Sequence, residues 1–178
     1  MWIRLPMKPA FFIVALSLVI ANCLSARSET INFTTREISL GLSLEKAINS
    51  QRMREGKSAL QPLTVDLNKA QLIYSEHILS GLLKSDDCDH DYKVFRALQQ
   101  LVETSPKSIA VAIPTSEVIG CPSSSRGWSP ELMVRLWMQS PQHNQILFEE
   151  AGRSNIGCQV MQRRGQTAAL CTLWVPNT

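Results

Sequence analysis

The chain has 178 residues, of which 44% are hydrophobic, and it carries 18 Lys and Arg against 15 Asp and Glu. This length fits one compact domain with a short processing segment. Two of the 18 basic residues lie within the first 26 positions, which leaves 16 basic against 15 acidic residues and a formal charge of +1. Such a nearly neutral chain, without a basic run interleaved with aromatics, argues against nucleic acid as a partner.

The first 26 residues are typical of a secretory signal peptide. Arg4 and Lys8 precede an apolar run over 10–21, which is too short to span a bilayer comfortably, and no acidic residue occurs before Glu29. We therefore expect a protein that is secreted, either periplasmic or extracellular.

Removal of the signal peptide leaves a short polar segment over 27–42 and a domain over 43–178, with no transmembrane segment. Cys23 also allows a lipoprotein signal, in which this cysteine carries the lipid. Asn22 is unusual just before an acylated cysteine, so lipid anchoring is the less favoured alternative.

Four helices are predicted, each by an N-cap residue followed by apolar residues at helical spacing. Their N-caps are Ser43, Asp66, Asp91 and Ser129. The first helix spans Leu44–Glu55, the second ends near Gly81, the third near Glu103, and the fourth turns Leu132 and Leu136 toward the core. On the second helix, His77 is expected to pack at the edge of the apolar face rather than to serve a function.

A further helix is predicted to begin at Ser140 and Pro141, since serine favours the N-cap and proline the first helical position. His143 then lies in the first turn, near the positive end of the helix, where a neutral imidazole is favoured. A neutral imidazole can bind a metal or make a hydrogen bond. The alternative is a surface histidine in a loop.

The extended segments do not alternate regularly with the helices. They are Ser108–Ile113, closed by Pro114, then Ser116–Cys121 before a surface loop at Pro122–Gly127, and finally Ile156–Gln162 and Thr167–Trp174. Helices first and a hairpin last favour an α+β fold over a parallel sheet.

Four cysteines follow the signal peptide, and an even count in an exported domain suggests two disulfides. A two-residue loop at Arg164-Gly165 pairs Arg163 with Gln166 and places Cys158 opposite Cys171 in a non-hydrogen-bonded pair, with Cα atoms about 4.5 Å apart. A loop of three or four residues would instead shift the register and offset the two cysteines.

If that disulfide forms, Cys88 pairs with Cys121 by elimination. His90 then lies two residues from one end of the second bridge and Glu117 four residues from the other. The bridge could hold these two side chains together, or it could serve stability alone, by roughly 3–4 kcal/mol.

The order of several short motifs resembles the bacterial form of the CAP superfamily, also called the SCP domain, of cysteine-rich secretory, antigen 5 and pathogenesis-related 1 proteins. The resemblance covers about Leu44 to the C-terminus. It rests on Ile48, Asn49, Arg52, Gly56, Leu60–Asp66, Ala70-Gln71, His90, Glu117, Trp137-Met138, Ser140-Pro141, His143 and Ile156-Gly157-Cys158. It implies a three-layer α-β-α sandwich with an antiparallel central sheet.

The resemblance also implies a central cleft that contains His90, Glu117 and His143. The family's Gly-Glu-Asn is here Ser-Glu-Val around Glu117, and its Ser-Pro-Gly-His is Ser-Pro-Gln-His at His143. A second acidic residue expected shortly after Trp137 has no counterpart.

Two functions follow from these residues. The first is a non-enzymatic, monomeric binding module for a lipid, peptide or cell-envelope ligand, which requires no cofactor. The second is a metal-dependent extracytoplasmic hydrolase or peptidase, with zinc on His90 and His143 and Glu117 as general base. No serine or cysteine is marked as an activated nucleophile, and we favour the first function because no complete catalytic set is visible.

Overall fold

The structure is a computed structural model and describes four stretches of the chain: 32–85, 88–106, 110–149 and 152–177. The predicted signal peptide, with Cys23, lies outside these stretches. Among the helices that they contain, none has the length and apolar character needed to cross a membrane.

The described residues form helices and one four-stranded sheet. The helices are α1 Thr35–Arg54, α2 Val65–Leu82, α3 Tyr92–Glu103, α4 Pro130–Gln139 and the short α5 Pro141–Asn144, which continues as a π-helical turn, Gln145–Glu149. The strands are β1 Gln61–Pro62, β2 Ala112–Ser124, β3 Asn155–Arg163 and β4 Gln166–Pro176, in the spatial order β1-β3-β4-β2.

Helix α1 begins at Thr35, so the predicted start at Leu44 was wrong. Thr34 and Glu37 form a capping box: the Thr34 hydroxyl accepts from the Glu37 N–H at 3.2 Å, and the Glu37 carboxylate accepts from the Thr34 N–H at 2.8 Å. Ser43, the predicted N-cap, lies inside the helix and donates to the Ser39 carbonyl. Residue 43, where the domain was predicted to begin, lies within α1; the boundary itself stays a prediction.

The sheet is mixed, which corrects the prediction of an antiparallel sheet. Strand β1 pairs in parallel with β3, through Gln61 with Asn155 and Pro62 with Ile156. Two residues, one of them proline, carry no alternation of polar and apolar side chains, and the sequence therefore gave no sign of β1.

Strand β2 is a single strand of 13 residues, where two short segments and a loop were predicted. Its register with β4 shifts between Pro114 and Ser116 and again between Gly120 and Ser123. Because β2 lies at the edge of the sheet, these bulges accommodate Pro114 and Pro122 without breaking the strand.

The C-terminal hairpin has the predicted register. Arg163 pairs with Gln166, and Cys158 lies opposite Cys171 with a Cα separation of 4.1 Å. Arg164 and Gly165 both have positive φ, 52° and 78°, as a two-residue type I′ turn requires. Both disulfides, Cys158–Cys171 and Cys88–Cys121, are present, so the predicted pairings are confirmed.

Helices pack on both faces of the sheet. Ile156, Cys158 and Val160 of β3 belong to a buried cluster with Leu44 and Ile48 of α1. The intervening Gly157 instead lies against Gln71 of α2. Since successive residues of a strand point to opposite faces, α1 and α2 lie on opposite sides of β3. These contacts support the predicted three-layer order, which stays a prediction.

Helix α1 also covers the outer edge of β3. The carboxylates of Glu37 and Glu45 accept hydrogen bonds from the Gln162 and Cys158 N–H groups, at 2.6 and 2.9 Å. Midway between the two glutamates, a Cβ atom on Gly41 would lie 2.5 Å from the Cys158 carbonyl oxygen. Only glycine therefore allows α1 to approach the strand this closely.

We expect Gly41→Ala to lower the free energy of unfolding by about 1–3 kcal/mol, because the added methyl group meets backbone that cannot move aside. Gly81→Ala, near the end of α2, is the matched control. A Cβ there meets nothing within 4 Å, so this change should raise stability by up to about 1 kcal/mol. Urea unfolding of both variants tests the pair, and equal shifts would contradict the close approach of α1.

Glu45 makes the stability of the fold depend on pH. Burial raises its pKa to about 7, against the lowering effect of the hydrogen bond from the Cys158 N–H. Because the pKa is raised in the folded state, Glu45 makes its full contribution to the free energy of unfolding below about pH 4.5. That contribution is lost as the pH rises through about 7.

Glu45→Gln should therefore be more stable than the parent at pH 8, by about 1–2 kcal/mol after allowance for partial exposure. The amide oxygen keeps the acceptor for the Cys158 N–H, so the difference should shrink at pH 5. Urea midpoints between pH 5 and 8 measure this, and parallel pH profiles of variant and parent would contradict it.

Candidate functional site

A buried carboxylate forms the base of the candidate site. Glu117 lies on β2 opposite Thr172 of β4, and only 6% of its surface is exposed. Its Oε1 lies 2.7 Å from His90 Nδ1, and its Oε2 accepts a hydrogen bond from the Tyr74 hydroxyl. Both oxygens of the carboxylate are thus occupied by neighbouring side chains.

The partners of Glu117 come from two different segments. Tyr74 lies on the inner face of α2, where its apolar ring packs edge-on against Phe95 of α3. Burial, together with the charge of Glu117, raises the pKa of the Tyr74 phenol, so Tyr74 acts as a donor. His90 directly precedes Asp91, whose side chain caps α3.

His143 lies in α5, which begins at Pro141 as predicted. Its side chain is half-buried. Its ring approaches Trp137 edge-on, with centroids 6.3 Å apart. Burial lowers the pKa of His143, and repulsion from His90 lowers it further, so the neutral imidazole is favoured. The physical cause differs from the predicted one: α5 is a single turn, and the Ser140 side chain makes no cap bond.

The structure therefore brings His90 and Glu117 into direct contact, and it places His143 near enough to His90 for electrostatic interaction. In the part of the chain that the structure describes, no three or more His, Cys, Asp or Glu side chains are grouped so as to hold a metal ion. A catalytic zinc site ordinarily uses three protein ligands, and with Glu117 occupied only the two imidazoles remain. The residues as placed do not fit such a site.

His77 lies apart from this group. It is exposed on α2 and lines a depression of about 150 Å³ with Asp89 and Asp91. A second depression of similar volume lies beside the Cys88–Cys121 disulfide. Neither of these two depressions is lined by His90, Glu117 or His143.

Tyr74 was not predicted as a site residue, because in the sequence it recurs at the helical spacing of the apolar face of α2. One signal was available: a buried tyrosine usually needs a hydrogen-bond partner for its hydroxyl. The long-range partner, 43 positions away on β2, could not be identified from the sequence.

Other residues of the motif pattern hold the chain around the site. Asn49 exchanges two hydrogen bonds with the backbone of Leu60, at 2.8 and 2.9 Å. Arg52 donates to the Leu147 carbonyl at the π-helical turn, and Gln71 accepts from the Thr172 hydroxyl at 2.6 Å. These side chains are buried or half-buried and have a structural role.

Comparison with protein-family models and with curated proteins finds no match. Among solved structures, the chain is similar to a cysteine-rich secretory protein from Staphylococcus aureus subsp. aureus Mu50, with a TM-score of 0.54 and 16% identity, over 79% of this chain and 40% of that one. It thus spans less than half of the staphylococcal chain. It is also similar to an outer surface protein from Borrelia burgdorferi, with a TM-score of 0.54 and 14% identity, over 82% of this chain and 96% of that one.

At sequence identities of 14% and 16%, these similarities show the fold alone. The fold agrees with the family resemblance of the sequence motifs. The chain has a CAP-like fold.

Proposed function

We propose that the protein is an exported binding module of the CAP superfamily, in which His90 and His143 form an open polar site for a cell-envelope ligand. Export is supported by the predicted signal peptide and by two disulfides, which persist in oxidising compartments. The names of the two similar structures, a secretory and an outer surface protein, agree with export.

The observation that carries this proposal is that both carboxylate oxygens of Glu117 already have side-chain partners. A general base needs an oxygen within reach of the water or hydroxyl whose proton it takes. Both oxygens of Glu117 instead contact Tyr74 and His90, and its side chain is almost fully buried. Glu117 therefore serves to orient the imidazole of His90 rather than to act on a substrate.

An oriented imidazole is suited to recognition. With Nδ1 directed at the carboxylate, Nε2 of His90 is the ring nitrogen left for a ligand, while 27% of its side chain remains exposed. His143 adds a second, neutral imidazole. Groups fixed in place before binding lose little conformational entropy when a ligand arrives.

The test uses the protein after signal removal and follows the ring signals of its three histidines by NMR. The probes are soluble peptidoglycan fragments, phosphatidylglycerol vesicles and a tryptic digest of casein. We expect at least one probe to shift the signals of His90 and His143 but not those of His77, which serves as the internal control. Absence of any such shift would refute the proposal.

The hydrolase alternative is tested on the same samples. It requires that added zinc chloride bind stoichiometrically and produce turnover of casein, and that both be lost in His143→Ala but not in His77→Ala. Zinc-dependent turnover that is also lost in Glu117→Gln would replace the binding module by the hydrolase.

A further inference from the structure

Beside the candidate site lies an exposed aromatic ring. Tyr92 is the first residue of α3, and 69% of its surface is exposed. Its ring is stacked on that of His90, with centroids 5.7 Å apart and an angle of 21° between the planes. Because one face of the phenol ring lies toward the imidazole, the other face is available to a ligand.

This stack is held in place from both sides. The Asp91 carboxylate accepts hydrogen bonds from the Lys93 and Val94 N–H groups, both at 3.1 Å, and so fixes the start of α3. His90 is held by Glu117 at 2.7 Å. The backbone that carries Tyr92 and the imidazole on which its ring stacks are therefore both held by hydrogen bonds.

The chemistry of the site indicates which ligands it suits. The face of an aromatic ring is negative, so it attracts the weakly positive C–H face of a saccharide ring. The neutral imidazole of His143 offers one donor and one acceptor. Hydroxyl groups, which both donate and accept, match such a group better than a purely anionic or purely apolar ligand does.

Two other classes of ligand fit less well. Asp89 and Asp91 are exposed on either side of His90, and their charges disfavour anionic lipid headgroups. The depression beside His90, lined by His77, Asp89 and Asp91, has a volume of about 150 Å³. Pockets that enclose drug-sized molecules are ordinarily about 300–1,000 Å³, so this depression is too small to engulf an acyl chain.

We propose that Tyr92, stacked on His90, is a platform for a pyranose ring of an uncharged envelope glycan. The inference rests on the proposed function, since it names the ligand class of the same site. Tyr92 is a ligand-contacting residue in this scheme, while Glu117 and Asp91 position the two stacked rings.

The test is isothermal titration of the mature protein with tetra-N-acetylchitotetraose, an uncharged soluble glycan. We expect saturable binding whose Kd rises at least tenfold in Tyr92→Ala. Tyr92→Phe keeps the ring and should stay within threefold of the parent. Leu101→Ala, at another exposed position of α3, is the matched control and should bind as the parent does. Thermal unfolding verifies that each variant is folded.

Unchanged affinity in Tyr92→Ala would overturn the inference, and so would absence of chitotetraose binding. If chitotetraose fails while vesicles or peptides still shift the His90 and His143 signals, only the glycan platform is wrong. If no probe shifts either ring, the proposed function fails as well. Phosphatidylcholine vesicles that bind through Tyr92 when chitotetraose does not would assign the platform to a quaternary ammonium group instead.

Discussion

Trp137→Ala is expected to lower the free energy of unfolding by about 3–5 kcal/mol, the range for removal of a large aromatic side chain from a core. Trp137 is 2% exposed, and its indole N–H donates to the Ile119 carbonyl at 3.1 Å. The change leaves a cavity in the core and removes the hydrogen-bond donor of the Ile119 carbonyl on β2. It also removes the ring that contacts His143. Urea unfolding measures the loss of stability.

The adjacent Leu136 gives a matched control. It is 49% exposed, although its helical spacing predicted that it faces the core. Leu136→Ala should therefore change stability by no more than about 0.5 kcal/mol. Trp137→Phe, which keeps much of the volume but loses the hydrogen bond, should fall between the two. A loss for Leu136→Ala as large as that for Trp137→Ala would contradict the observed orientation of α4.

Removal of the Cys88–Cys121 disulfide by a double change to alanine is expected to cost about 3–4 kcal/mol, because the bridge closes a loop of 33 residues in the unfolded chain. The bridge also joins the segment before His90 to the strand that carries Glu117. We therefore expect the variant to lose the His90–Glu117 contact in part, seen as a changed His90 Nδ1 shift in ¹⁵N NMR.

The second disulfide separates these two effects. Cys158–Cys171 closes a loop of 13 residues, so its removal should cost about 3 kcal/mol by the same reasoning, with a further loss because both cysteines are buried. It should leave the His90 signal unchanged. If both double variants leave His90 unaffected, the Cys88–Cys121 bridge serves stability alone.

Most of the correct predictions from the sequence depend on interactions between residues that are close together in the chain. Asp91 and Ser129 cap their helices as expected, with side chains that accept backbone N–H groups of the first turn. The hairpin register followed from the turn residues and two cysteines whose spacing fits a single loop length. In each case the deciding interaction lies within a few residues or across one tight turn.

The errors arose where distant contacts decide the structure. The start of α1 was misplaced because Ser43 also looks like an N-cap, while the capping box at Thr34 lies in a stretch without apolar periodicity. Strand β1 exists through pairing with β3, about 90 positions later. The contact of Tyr74 with Glu117 likewise depends on how α2 lies across the sheet.

For the candidate site, motif order singled out His90, Glu117 and His143, and the structure shows which side chains each of them contacts. Sequence alone suggested Glu117 as a possible base. In the structure it is buried and both of its oxygens contact neighbouring side chains, and on this geometry we propose that it orients His90. No pattern of residue types could have distinguished those roles, because both require an acid beside a histidine.

The cover that α1 provides for β3 has a consequence for the behaviour of the protein at high concentration. An uncovered strand edge is a template on which a second molecule can add its own strand, which leads to fibrils. On one margin, the Glu37 and Glu45 carboxylates already take up N–H groups of β3. On the other, the prolines and bulges of β2 interrupt the ladder. The sheet is thus protected at both margins against growth into amyloid-like aggregates.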